Sequence, residues 1–360
     1  MHELRPACVR AWAGFISGLL ALLLVSCGDN GSNPAAHEPA PFDVSAPIAG
    51  VNFDVSRRLD DSALDALEST SVSWIALTPF GWQPRFDVPQ VRLRTTNVRW
   101  GETDRGLAEI ITRARERGIR TLLKPHIWLL EEVPGQWRGT IGFEQETDWR
   151  AWETQYRAFI LHYAALAQRQ QVDMFSIGVE LHRAVSKRPD FWRDLIVEAR
   201  QVYDGPLTYG ANWDELTAVT FWDRLDYLGV HAYFPLTSKQ DASVADLEQG
   251  WKAHLRLIES LCVTWDRPIL FTEVGYRSIS GAAVQPWNYT VQALVDPQEQ
   301  ADAYEAMFRT FWQQDWFAGV FLWEWDADIA IDADLHGDDD FTPQTKLAQA
   351  VMAHWFGSGS

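Results

Sequence analysis

The chain of 360 residues is 47% hydrophobic and 22% charged, a globular composition with enough apolar material for one large core. A net charge of −18 argues against nucleic-acid binding, which needs basic patches, and against a polyanionic substrate; a neutral or cationic partner fits better. Most of the 19 tryptophans are core material, and those near loop ends offer apolar plates on which sugar rings stack.

At the N-terminus, Arg5 and Arg10 precede the apolar run "FISGLLALLLV", too short to span a bilayer comfortably, and then "LVSC". This segment looks like the signal peptide and lipobox of bacterial lipoproteins. The resemblance implies a leader over residues 1–26 and a lipid on Cys27 that anchors the protein in the cell envelope, outside the cytoplasm. The residue after Cys27 is not Asp, which in a Gram-negative cell favours the outer membrane. An ordinary secretory signal with an incidental Cys is the other reading. Residues 27–47, rich in Gly, Pro, Asn and Ala, read as a flexible tether, and the folded domain is expected over 48–357. Cys262 has no partner for a disulfide and reads as a buried apolar filler.

From Ile48 onward, strand and helix signals alternate eight times. The strand candidates are "IAGVNFDV", "VSWIALTPF", "RTLLKPHIWL", "DMFSIGVEL", "PLTYGANWD", "LDYLGVHAYFP", "PILFTEVGY" and "AGVFLWEWD". Each opens on a short, mainly apolar run, as parallel strands covered on both faces do. Between them lie helical patterns. Residues 104–117 end on "RERG", a basic last turn followed by Gly, and 148–168 repeat aromatic residues at helical spacing. Residues 296–312 open with an Asp cap and a Pro. This alternation predicts an α/β fold, a (β/α)8 TIM barrel. No glycine-rich phosphate turn follows the first strand, which disfavours a doubly wound sheet.

Barrel enzymes carry their chemistry at the C-terminal ends of the strands. Those ends here hold Lys124-Pro125-His126, Glu180, Asn212-Trp213-Asp214, His231-Ala232-Tyr233, Glu273 with Tyr276 and Arg277, and Trp323-Glu324-Trp325. Glu180 and Glu273 each close an apolar run, three strands apart around the mouth, where two carboxyls can face each other. Glycoside hydrolysis needs such a pair, one protonated and one ionised. No HExxH or CxxC pattern appears, so no catalytic metal or other cofactor is expected. The acidic stretch Asp326–Asp340 suggests calcium at first sight but lacks EF-hand spacing, and reads as a solvated loop or cleft rim.

With these residues in hand, the chain resembles glycoside hydrolase family 113 of the large retaining glycosidase clan. The matching stretches, in order, are "WIALTPFGWQ", "LLKPHIWL", "FSIGVELHR", "LTYGANWDE", "LDYLGVHAYFPL", "FTEVGYRS" and "GVFLWEWD". The resemblance implies a retaining β-1,4-mannanase or a close relative, with Glu180 as acid/base, Glu273 as nucleophile and Tyr233 holding the nucleophile. Other β-linked glycans (glucan, xylan, short oligosaccharides) and a non-catalytic carbohydrate-binding lipoprotein remain as alternatives. Many clan members place Asn before the acid/base; here it is Val179, so Asn212 becomes the candidate for the sugar 2-hydroxyl. Lys124 and His126 read either as a strand-end turn with a surface cation or as a site for sugar hydroxyls. His231 reads as a site residue or a satisfied core histidine. Arg277 reads as a substrate contact or the partner of a nearby acid. Trp82, Trp128, Trp213, Trp323 and Trp325 are the stacking candidates, and strand register decides whether Trp323 or Trp325 faces the cleft.

Overall fold

The computed structural model describes residues 47–358 apart from 95, 331 and 336. The leader, Cys27 and all of the tether before Pro47 lie outside the described residues. No helix among those described is long and apolar enough to cross a membrane.

The elements run β1 (Ile48–Asp54), α1 (Asp61–Glu68), β2 (Trp74–Leu77), β3 (Phe80–Gln83), β4 (Arg92–Leu93), α2 (Asp104–Glu116), β5 (Arg120–Leu123) and β6 (His126–Leu129). They continue with α3 (Glu146–Gln170), β7 (Met174–Val179), α4 (His182–Lys187), α5 (Pro189–Val202), β8 (Leu207–Asn212) and β9 (Leu228–His231). The last are α6 (Val244–Trp265), β10 (Ile269–Val274), α7 (Pro297–Phe311), β11 (Phe317–Asp326) and α8 (Leu347–Gly357). Eight parallel strands close a barrel in the order β1-β2-β5-β7-β8-β9-β10-β11 and back to β1. The eight apolar runs of the sequence therefore make the (β/α)8 TIM barrel.

The structure departs from the sequence expectation in two places. "VSWIALTPF" and "RTLLKPHIWL" are not single strands. Pro79 and Pro125, which lack an N–H for the ladder, divide them. The residues beyond each Pro form β3 and β6, which pair with each other and with β4 in a small sheet above the barrel mouth. The second departure is the link from β8 to β9, which holds two short 3-10 turns in place of an α-helix. Phe221 and Trp222 are buried there, and Trp222 Nε1 donates to the Leu216 carbonyl at 3.2 Å.

The helices form where the sequence places them. Asp296 caps α7 by accepting from the Gln298 and Glu299 amides, with Pro297 as the first helical residue. Along α3, Trp149, Trp152, Tyr156, Phe159, Ile160 and Tyr163 bury one face. Trp152 stacks on Tyr156 at 4.7 Å, and both rings reach into the site's scaffold. Tyr156 donates to the Ile177 carbonyl of β7 at 3.0 Å, and Trp152 donates to Gln83 of β3 at 3.0 Å. Ile48, Trp74, Ala76, Leu122, Met174, Leu270, Ala318 and Phe321 form a separate apolar cluster, with Trp74 edge-on to Phe321 at 6.2 Å.

The barrel closes between β1 and β11 at Gly319. Its φ is +125°, and a Cβ there would come within 2.3 Å of the Ile48 backbone N and O. Gly319→Ala is expected to destabilise the barrel by about 2–5 kcal/mol through backbone strain and overpacking combined. Urea denaturation checks this; a midpoint equal to that of the wild type would show that the seam tolerates a side chain.

Candidate active site

Two irregularities in the barrel ladder lie just before the two glutamates. Between Ser176 and Val179, β7 advances three residues against two on β8. Between Phe271 and Glu273, β10 advances two against one on β9. Such bulges re-aim the side chains that follow them. Glu180 itself sits in the left-handed region with φ +53°, an uncommon conformation for a residue other than glycine. Its amide donates to the Gly210 carbonyl at 2.8 Å, and the next amide, of Leu181, donates to the Tyr209 hydroxyl at 2.7 Å. Both amides of the turn that presents the carboxylate are thus hydrogen-bonded.

Glu180 and Glu273 both face a cleft of about 1050 Å³ at the C-terminal mouth of the barrel. One carboxylate oxygen of each, and a ring nitrogen of His231, lie within 4.8 Å of one another. Both glutamates are more than nine-tenths buried, so their charges need partners. Glu273 pairs through Oε1 with Lys124 Nζ and accepts from the Tyr233 hydroxyl at 3.1 Å through Oε2. Glu180 pairs through Oε2 with Arg138 Nη1 at 2.7 Å and through Oε1 with His231 Nδ1 at 2.8 Å. The other His231 nitrogen stands 3.4 Å from Glu273, so one imidazole bridges the two acids.

These contacts set the electrostatics. Burial pushes the Glu180 carboxyl up, but the charge and hydrogen bonds of His231 and Arg138 outweigh it and hold the group well below the usual carboxylate range. Burial pulls the Lys124 ammonium down, opposed by Glu273 and Glu180. Burial, with help from Lys124, Arg138 and His231, keeps His126 far below its ordinary value and therefore neutral. Tyr233 is pushed well above the ordinary phenol range by burial and the two carboxylates, so its hydroxyl stays protonated and can donate. Glu180, Glu273 and His231 are the one group among the described residues with the spacing of a metal site. Lys124 and Arg138 already supply positive charge to these oxygens, so the donor set fits a self-compensated acid pair better than a cation cage.

The structure brings most of the sequence candidates to this cleft. Glu180, Glu273, Tyr233, Asn212, Trp213, His126, Trp82, Trp128 and Trp323 line it. The Asn212 amide donates to buried Glu215 at 2.7 Å, and its side chain donates to Asp214 at 2.9 Å. Four residues lie elsewhere. Lys124 is wholly buried beneath the cleft, with Trp323 5.6 Å above its ammonium, so it touches Glu273 and not a ligand. His231 is likewise wholly buried and acts on the two carboxylates. Trp325 is buried at the β1 seam, opposite Phe53, which leaves Trp323 facing the cleft. Arg277 stands outside the cleft wall, donating to Asp339 at 2.6 Å and to the Val291 carbonyl at 2.6 Å. It is the partner of an acid in the Asp326–Asp340 stretch, where Lys346 also holds Asp340 at 2.7 Å.

Several cleft residues escape a strand-end reading because loops supply them. Arg138 and Trp137 come from the turn after β6, and Trp287 and Tyr289 from the loop after β10. Trp287 stacks on Trp213 at 5.2 Å. Across the cleft, Phe80, Trp82 and Trp128 form a second aromatic group on the small upper sheet. Near Glu324 the wall turns acidic, with Asp54, which pairs with Arg99, and Glu102. Burial, then the Asp54 and Asp326 charges, pushes Glu324 up to about 8, and burial pushes Glu102 up to about 7. Four buried polar atoms on the cleft residues make no hydrogen bond within the protein: Asn52 Oδ1, Trp82 Nε1, Glu102 Oε2 and His126 Nε2, the last standing 3.5 Å from Glu273 Oε1. A wall of aromatic plates and unpaired polar atoms around two close carboxyls suits a hydroxyl-rich ring.

The profile of Glycoside Hydrolase Family 113 matches residues 53–346. The chain belongs to glycoside hydrolase family 113. It is a glycoside hydrolase acting on a polysaccharide or oligosaccharide. A family 113 β-1,4-mannanase solved as a complex is similar at 27% identity and a TM-score of 0.77, over 87% of this chain and 99% of that one. The family 113 β-mannanase AaManA from Alicyclobacillus acidocaldarius, in complex with ManMIm, is similar at 28% identity and 0.76, over 88% and 98%. A β-glucuronidase of Faecalibacterium prausnitzii, at 13% identity and 0.56 over 87% of this chain and 49% of its own, shares the fold alone. No curated protein matches the chain.

The buried ion pair beneath the cleft of this family 113 hydrolase gives a direct test. Lys124→Met leaves the Glu273 charge without its cation and should destabilise the protein by about 3–5 kcal/mol. Lys239→Met, which breaks a solvent-exposed pair with Asp246, should change stability by less than about 1 kcal/mol. Urea denaturation of both compares them, and equal losses would remove charge compensation as the reason for burying Lys124.

Proposed function

We propose that the protein hydrolyses β-1,4-mannan or manno-oligosaccharides with retention, by double displacement. The observation that carries this reading is the approach of the two carboxyls, with one oxygen of each within 4.8 Å of the other. Retaining glycosidases keep their carboxyls about 5–5.5 Å apart, whereas inverting enzymes leave roughly 6.5–9.5 Å for a water. Mannan is favoured by the similar family 113 structures, a β-1,4-mannanase and a β-mannanase.

In this reading Glu273 attacks the anomeric carbon. Lys124 and Tyr233 hold its carboxylate in place for the attack. The bond from that carbon to the glycosidic oxygen breaks, and the leaving oxygen takes a proton from Glu180. Water then forms the new bond to the anomeric carbon, gives a proton to Glu180 and releases Glu273. Trp323 floors the reacting sugar, and His126 Nε2, Trp82 Nε1 and Asn212 meet its hydroxyls. Because the acid acts on the leaving group, the leaving-group side is the side of Glu180, where Trp137 stands next to Arg138.

Mannohexaose digestion followed by proton NMR tests the reading. The first product formed should carry the β-anomer, and mannan should yield short oligosaccharides. An α-anomer would overturn retention, and release from another β-glycan but not from mannan would overturn the substrate. Glu180→Ala should lower turnover roughly 10²–10⁴-fold. Glu273→Ala should abolish it, with both variants folded.

We also propose, from the lipobox-like "LVSC" alone, that a lipid on Cys27 tethers the enzyme to the cell envelope. Metabolic labelling with a fatty acid should mark the wild type and not Cys27→Ser. Equal labelling of both would refute the anchor.

A further inference from the structure

This inference rests on Glu180 being the acid/base. A general acid must carry a proton on the oxygen that meets the leaving group. Both oxygens of Glu180 are taken, one by His231 and one by Arg138. The two partners differ in kind. His231 is wholly buried on β9, under the cleft, and cannot leave without unpacking the barrel. Arg138 lines the cleft, its side chain is 26% exposed, and it stands on a three-residue turn in a loop. Glu180 is the one hydrogen-bond partner of its guanidinium among the described residues.

The other titratable or charged groups around Glu180 are Glu273 from β10, Lys124 at the end of β5, Glu215 after β8, and the Tyr209 and Tyr233 phenols. Arg138 alone is both hydrogen-bonded to Glu180 and part of the cleft wall. It therefore occupies the oxygen from which a proton would reach a substrate. Its neighbour Trp137 is an exposed plate on the same wall, its ring set over Gly139, where an added Cβ would come within 2.4 Å of it.

We propose that Arg138 is a displaceable lock on Glu180: it pairs with the carboxylate before substrate binds, and a sugar seated against Trp137 on the leaving-group side pushes it off. Glu180 then takes a proton from bulk water and becomes the acid. The first chemical step is thereby coupled to filling the leaving-group side. After the leaving group departs, Arg138 can return and favour the ionised form that activates water. Arg138 is a positioning residue, acting through Glu180.

Removing its positive charge makes the ionised carboxylate less favourable, so Glu180 must bind its proton more tightly. In protein labelled with carboxyl-13C glutamate, the Glu180 resonance, assigned by its loss in Glu180→Gln, should titrate at least about one pH unit higher in Arg138→Met than in the wild type, a tenfold gain in proton affinity. Arg138→Lys should stay close to the wild type. Saturating mannotriose should raise the wild-type midpoint and leave that of Arg138→Met unchanged. The alkaline limb of kcat/KM for mannohexaose should move up in Arg138→Met by the same amount. With 2,4-dinitrophenyl β-mannobioside, whose leaving group needs no proton, it should not move. Arg138→Gln is read in parallel and replaces the Met variant should that variant not fold. An unmoved Glu180 titration in the uncharged variants, or no response of the wild type to mannotriose, overturns the lock. Full activity of Glu180→Ala on mannohexaose overturns the acid/base assignment instead, so the two failures are distinct.

Discussion

Two carboxylates held out of water at a barrel mouth require compensation, and the upper half of this barrel is arranged around supplying it. An isolated buried carboxylate is strongly unfavourable, and removing one partner of a buried pair leaves several kcal/mol of penalty. Here two cations, Lys124 and Arg138, and one bridging imidazole, His231, meet the two acids. Lys124 starts on the far side of the barrel at the end of β5 and crosses to β10, where its ammonium also donates to the Thr272 carbonyl at 3.3 Å. Asn52 enters from β1 and donates to the same carbonyl at 3.3 Å. A polar group of Asn52, Lys124, His231 and the two glutamates thus stands apart from the apolar cluster of Ile48, Trp74, Leu122, Met174 and Phe321. The apolar cluster supplies burial energy and the polar group supplies chemistry, which is how one barrel meets both demands.

The fold was legible in the sequence because parallel barrel strands are apolar on both faces and announce themselves as short runs. The site was legible because a carboxylate ending such a run, as Glu180 and Glu273 do, has few structural excuses. What remained hidden depends on where a side chain points. The bulges before Glu180 and Glu273 change the alternation of strand faces; Gly178 in "MFSIGVE" marks the first, whereas no residue type in "ILFTE" marks the second. Lys124 and His126, two positions apart, separate into a buried ion-pair partner and a cleft residue because Pro125 divides β5 from β6 between them. Arg138 was invisible because it lies in an aperiodic loop, where pattern carries no information about position. Arg277 misleads in the opposite way: it follows Glu273 by four residues, yet Asp339 and the Val291 carbonyl turn it away from the cleft. The prolines at 79 and 125 were readable as strand breaks, and taking them so would have revealed the upper sheet that carries Trp82 and Trp128.

The cleft is asymmetric in its materials. Aromatic rings, Trp213 stacked on Trp287 at one side and Phe80, Trp82 and Trp128 packed edge-on and tilted at the other, give broad apolar contact without demanding charge. The acidic wall of Asp54, Glu102 and Glu324 is partly discharged, since burial favours the protonated forms of Glu102 and Glu324. A protonated carboxyl can donate as well as accept a hydrogen bond. Despite the net charge of −18, this wall can therefore meet a neutral, hydroxyl-bearing ligand through hydrogen bonds of either sense.

The two acids also differ in how they are held, and the difference follows the work each has in the proposed reaction. Glu273 must remain ionised and fixed until it attacks. Its partners, Lys124 and Tyr233, are both more than nine-tenths buried and cannot be exchanged for substrate. Glu180 must be an acid in one step and a base in the next, so no fixed arrangement of charge serves both. Holding one oxygen by buried His231 keeps the carboxylate aimed, while leaving the other to a cleft-side arginine lets the occupant of the cleft decide its charge. A second buried cation in place of Arg138 would stabilise the ionised form in every state and slow the step that needs the acid; no cation at all would leave a buried carboxylate that is protonated when it must act as a base. A partly buried, displaceable arginine on the cleft wall satisfies both requirements.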